Sequence, residues 1–111
     1  MRWHICHFIL IMLKKNILEL CLLSLIAEEE GYGYDLLKRL HDTFPDTQES
    51  AGYALIRSLQ KDGYIDAAGQ KTANGPPRKY YHITPKGSER LSELLSTWRA
   101  LVKGLEGLGI Y

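Results

Sequence analysis

Covalent cross-links are the first thing this sequence lacks. Its 111 residues include two cysteines, Cys6 and Cys21. That is too few for a disulfide framework, so a reduced, cytoplasmic protein is expected. Long hydrophobic runs are missing too. The apolar stretch over residues 5–13 covers nine positions before Lys14 and Lys15 close it, whereas a bilayer span needs about 20. No membrane partner is expected. A secretory leader is also not expected, because lysines follow the run and no small-residue cleavage site appears. Repeats and low-complexity tracts are absent. His4, Cys6 and His7 put three potential metal ligands into four residues. Without a second cluster downstream they do not build a closed tetrahedral site, so no metal and no cofactor is expected. His41-Asp42 stands without an activated nucleophile, and no enzyme is expected.

Strong net charge is likewise lacking, at +1, but the charges are segregated. Residues 1–15 hold three cations and no acid, and residues 71–90 hold five cations against Glu89. Residues 16–46 hold seven acids against Lys38 and Arg39. Such segregation can give a nearly neutral molecule a basic edge.

The chain is long enough for one domain. Residues 1–13 read as an N-terminal apolar extension that fits a strand, an extra helical turn or a partner-binding arm. Met12 would serve equally as a start, leaving residues 1–11 as an addition. Ile17 to Ala27 is apolar on nearly every side, as a central core helix would be. Gly31-Tyr32-Gly33-Tyr34 reads as a turn, with both tyrosines packing at a helix crossing. A second helix from Asp35 to about Phe44 follows, its apolar face made by Leu36, Leu37, Leu40 and Phe44. Asp46-Thr47-Gln48-Glu49 offers a capping box for a third helix. That helix runs to Gly63 with Leu55, Ile56 and Leu59 inward and Glu49, Ser50, Tyr53, Arg57 and Gln60 outward.

Tyr64-Ile65-Asp66 reads as a strand and residues 67–77 as a loop. Tyr80 to Ile83 is aromatic and β-branched, a second strand entered through Gly75-Pro76-Pro77-Arg78-Lys79. Thr84 before Pro85 is an N-cap followed by proline at the first helical position. Three helices and then a basic β-ribbon give the order of a winged helix-turn-helix, mainly α with a small β-wing. Its expected span is residues 14–84. Residues 85–111 carry one long helix, in which Leu91, Leu94, Leu95, Trp98, Leu101, Val102, Leu105 and Leu108 recur every three or four positions. A continuous seam on a helix longer than the core can cover calls for a second copy, so a homodimer is expected. The alternative is a helix folded back on its own domain.

Four stretches together resemble the PadR family of bacterial transcriptional regulators in its short form: Ile17–Ile26, Gly31-Tyr-Gly-Tyr-Asp-Leu, Tyr53–Ile65, and Pro76-Pro-Arg-Lys-Tyr-Tyr-His-Ile-Thr-Pro-Lys-Gly87. The resemblance covers roughly residues 13 to 108. It implies a DNA-binding winged helix whose C-terminal helix builds a two-fold dimer, acting as a repressor that often releases DNA when a small molecule binds. It places Tyr53 near the start of the recognition helix, Arg57 and Lys61 on its later turns, and Arg78 and Lys79 on the wing. On that basis Ser50, Tyr53 and Arg57 face the double-stranded DNA operator, and Arg57 suits a bidentate guanine contact. Lys14, Lys15, Lys71, Arg78 and Lys79 then hold phosphates. Trp98 is an interface anchor, a platform for a flat aromatic effector, or both. The chain departs from the family at Ser50-Ala51-Gly52-Tyr53-Ala54, where small-Thr-Leu-Tyr-Pro is usual. A glycine inside a helix costs about 1 kcal/mol relative to alanine and removes an apolar anchor beneath Tyr53. The competing reading is a winged helix that binds another protein and not DNA.

Overall fold

The computed structural model describes the backbone of residues 2–70 and 79–111, and the side chains of 15–67 and 79–111. Its elements are α1 (Arg2–Glu28), β1 (Gly31–Tyr32), α2 (Gly33–Thr43), α3 (Glu49–Lys61), β2 (Ile65–Gln70), β3 (Lys79–Ile83) and α4 (Pro85–Gly107). The fold is mainly helical with a small antiparallel sheet, the winged-helix arrangement expected from the pattern of elements.

Helix α1 is the centre of the core. Leu18, Leu22, Leu23 and Ile26 are buried on it, and it packs against α2, β3 and α4. Residues 5–13 continue the same helix, which settles their backbone as helical. Helix α2 contributes Leu36, Leu37 and Leu40, and α3 contributes Leu55, Ile56 and Leu59, to one cluster with Ile65 and Tyr81. These are the inward positions the spacing predicts, because residues three and four apart share a helix face.

Four expectations need correction, the simplest being that residues 67–70, read as loop, belong to β2. The glycine-tyrosine turn is part of the sheet: strand order is β1-β3-β2, with Gly31 opposite Tyr81 and Tyr32 opposite Tyr80. A two-residue strand is too short to show alternation, so no periodic signal marks it. Its stabilising contact is the edge-on packing of the Tyr32 and Tyr80 rings, 5.2 Å between centroids. Tyr34 is not a packing residue, being 57% exposed on the first turn of α2. The capping box is not formed either. Gln48 is the N-cap of α3 and its side chain makes no capping bond. Thr47 is instead buried, and its carbonyl accepts a hydrogen bond from His41 Nδ1 at 3.1 Å. That contact ties the end of α2 to the start of α3.

Strands β2 and β3 pair antiparallel from Ile65 opposite Ile83 to Gln70 opposite Lys79, with a register shift between Ala67 and Gln70. Gly63, with φ at +81°, supplies the left-handed residue that stops α3 and turns the chain into β2. The expected cap of α4 is present. Thr84 Oγ1 accepts from the Gly87 amide at 3.0 Å and donates to the Gly63 carbonyl at 2.6 Å. Lys86 Nζ donates to the Asp62 carbonyl at 2.7 Å. Arg90 Nε donates to Glu19 Oε1 at 2.9 Å, fixing α4 against α1. The end of α3 and the start of α4 are therefore held together.

Candidate nucleic-acid interface

The face of α3 that the core leaves free is polar and partly aromatic. Glu49, Ser50, Tyr53, Arg57, Gln60 and Lys61 are all exposed, as the inward positions of the neighbouring leucines require. Gly52 lies buried beneath this face. A methyl group there would meet Leu37 Cδ2 at 2.8 Å, so α3 packs at this point directly on the end of the Leu37 side chain of α2.

Tyr53 and Arg57 line a concavity of about 470 Å³ with Lys79 from the first position of β3. Three residues expected to touch DNA are thus brought together from a helix and a strand far apart in sequence. The same hollow is walled by Tyr34 and Tyr81 and floored by Ile56. Burial, together with the nearby Tyr53, pushes the Tyr81 phenol above its ordinary pKa, so it stays a hydroxyl at neutral pH. Reading the sequence missed the contribution of Tyr34. No local signal could have found it, because the first turn of α2, which begins at Gly33, follows a second tyrosine in the same Gly-Tyr pattern.

The other expected contacts are more dispersed. Ser50 is exposed on the first turn of α3, and Lys61 is exposed at its last residue. Lys15 is exposed on α1 and lines a different groove, with Asp46, Ala51, Ala54 and Ser58 on another side of α3. The side chain of Lys14, and Lys71 and Arg78 entirely, lie outside the described residues.

On α4, Leu91 and Leu94 are half-buried against the core, and Leu95 and Val102 are half-buried. Farther along, Trp98 is 42% exposed, Leu101 46% and Leu108 79%, with Leu105 also exposed. Leu91 and Leu94 therefore serve their own chain, and Trp98, Leu101, Leu105 and Leu108 lie open. Among the described residues no group of acidic, histidine and cysteine side chains could hold a metal, and no helix is long and apolar enough to cross a membrane.

Comparison with known proteins adds family and fold. A family model described as the transcriptional regulator PadR-like family matches residues 22–93. An uncharacterised protein of Lysinibacillus sphaericus is 33% identical over 84 residues, covering 73% of this chain and 77% of its relative. The crystal structure of a PadR-like transcriptional regulator from Bacillus cereus superposes with a TM-score of 0.76 at 38% identity, over 85% of this chain and 92% of that one. A PadR family transcriptional regulator from Eggerthella lenta superposes with a TM-score of 0.74 at 30% identity, over 95% and 92% of the two chains.

Proposed function

Because this chain belongs to the transcriptional regulator PadR-like family, we propose that it is a cytoplasmic, sequence-specific DNA-binding repressor. It acts as a homodimer on an inverted repeat and releases DNA in response to a small molecule. The observation that carries this reading is the exposed pair Tyr53 and Arg57 on α3, which line the same hollow as Lys79 of the wing strand, with Ser50 exposed on the helix's first turn. A helix presented in this way can enter the major groove while flanking cations rest on phosphates.

Each residue has a part in this account. Arg57 reads a guanine through its paired donors, since the guanidinium fork matches O6 and N7. Ser50 and Tyr53 contact the bases or backbone on either side of it. Lys61, Lys79 and, from their places in the sequence, Lys14, Lys15, Lys71 and Arg78 neutralise phosphates. The open apolar half of α4, with Trp98, Leu101, Leu105 and Leu108, supports pairing with a second copy. Trp98 is the place where a flat aromatic effector would stack.

The test is a fluorescence-anisotropy titration with duplex from upstream of the protein's own coding region and with random duplex, at several salt concentrations. Selective binding that weakens steeply with salt is expected. Replacing the wing pair together (Arg78→Ala with Lys79→Ala) should lower the log–log salt slope by about 1.8, or about 0.9 for each phosphate no longer neutralised. Equal, weak affinity for both duplexes, unchanged by the wing substitutions, would favour a protein partner instead.

A further inference from the structure

We propose that the hollow between α2, α3 and β3 is a seat for one phosphodiester of the DNA backbone, and that Tyr34 is its contribution from α2. The inference rests on the DNA-binding reading but joins recognition helix and wing strand in one phosphate site and adds Tyr34, a residue that neither includes.

Three observations lead to it. First, the polar groups around the hollow suit an anion. Lys79 brings a cation to hold it, and Arg57 adds positive charge beside it while its fork reads a base. Tyr32, Tyr34, Tyr53 and Tyr81 bring phenols, and no carboxylate stands among its described lining residues. Arg and Lys can only donate, and phenols donate readily to an oxyanion. Second, the walls are aromatic and the floor is Ile56, which suits the C–H faces of a deoxyribose on either side of the phosphate. At about 470 Å³ the hollow is larger than an isolated oxyanion requires. Third, it lies between the exposed row of α3 and the strand that enters the wing. Where a helix lies in the major groove and a wing beside it, a backbone strand passes between them.

Tyr34 is the informative member of the set. It is 57% exposed, so packing does not account for an aromatic side chain at this position. It is the second residue of α2, and a contact there would tie the first helix of the helix-turn-helix to the same backbone strand that α3 and the wing approach. The phosphate would then fix the register of the recognition helix without reading a base.

The experiment compares Tyr34→Phe, Lys79→Ala and Arg57→Ala in the full chain, by anisotropy, on a selected operator and on random duplex. Thermal melts of each variant confirm folding. Tyr34→Phe should weaken binding about three- to tenfold on both duplexes with the salt slope unchanged, since the variant gives up a hydroxyl and no charge. Lys79→Ala should reduce the slope by about 0.9. A methylphosphonate scan along the operator should find a linkage whose neutralisation weakens the parent protein more than it weakens Tyr34→Phe, since Lys79 still meets that phosphate in the variant. Parent-like binding by Tyr34→Phe would overturn the seat, as would a loss confined to the operator. In either case a loss of selectivity in Arg57→Ala would leave the DNA-binding reading standing. Failure of the parent chain to bind any duplex would overturn both.

Discussion

A methyl group placed on Gly87 would run into the Tyr64 carbonyl oxygen, with Ile83 Cγ1 pressing at 2.8 Å from another side. A backbone oxygen cannot swing aside, so Gly87→Ala must push the first turn of α4 off the α3–β2 turn. We expect a loss of about 1–3 kcal/mol, the range for overpacking a close contact, read by urea denaturation. Gly52 presents the opposite case. Its methyl group would meet Leu37 Cδ2, the far end of a flexible side chain that also borders a cavity of about 210 Å³. Leu37 can turn into that space, and the helix regains the propensity glycine forfeits. Gly52→Ala should therefore raise stability by several tenths of a kcal/mol and by no more than about 1. In the sequence, Gly52 reads as a defect in the recognition helix. In the fold it is a point of close approach. Tyr53 and Arg57 were legible as outward residues because leucine spacing fixes the opposite face. Tyr34 was not, since nothing local to Gly-Tyr-Gly-Tyr distinguishes a packed tyrosine from a projecting one.

The relation between α3 and α4 is set at the scale of the element. Thr84, Lys86 and Arg90 lie on or just before the first two turns of α4, and each makes a contact outside its own helix. Thr84 and Lys86 hold the carbonyls of Gly63 and Asp62 at the end of α3, and Lys86 also lies 5.2 Å over the Tyr64 ring. Arg90 reaches Glu19 on α1, whose side chain is 12% exposed. A charged hydrogen bond this well covered exceeds a surface pair, though the part-exposed guanidinium moderates it. Glu19→Ala should cost about 1–2 kcal/mol, and Arg90→Ala in the same background should cost little more. A double-mutant cycle by thermal denaturation would show that coupling; additive losses would mean the pair does not anchor α4. The helices and β3 were readable from period and turn residues, and β2 only over its first two residues, since residues 67–70 read as loop. Strand β1 was not, because two residues carry no alternation and its pairing depends on Tyr80 and Tyr81, about fifty positions away. The helical state of residues 5–13 was equally hidden. A short apolar run suits a strand or a helix until it is seen to extend α1.

The chain folds as a winged helix in which the described residues leave two different kinds of surface uncovered. One is the hollow and polar row around α3, with Arg57 and Lys79; the other is the apolar far half of α4. The near-zero net charge conceals this arrangement, since the acids of residues 16–46 offset the cations of the first residues and the wing. Helix α4 runs for 23 residues, about 34 Å at 1.5 Å per residue. Its own core uses Leu91 and Leu94, and Trp98 and Leu101 remain available to a two-fold partner. Two copies joined through that seam would present two recognition helices related by the same axis, so the DNA they select should carry that symmetry. The most direct measurement is selection of duplexes from a random pool by the full chain, followed by sequencing. The account predicts enrichment of an inverted repeat whose half-sites are centred about one helical turn apart or a multiple of it. A pool left without any enriched motif would contradict it.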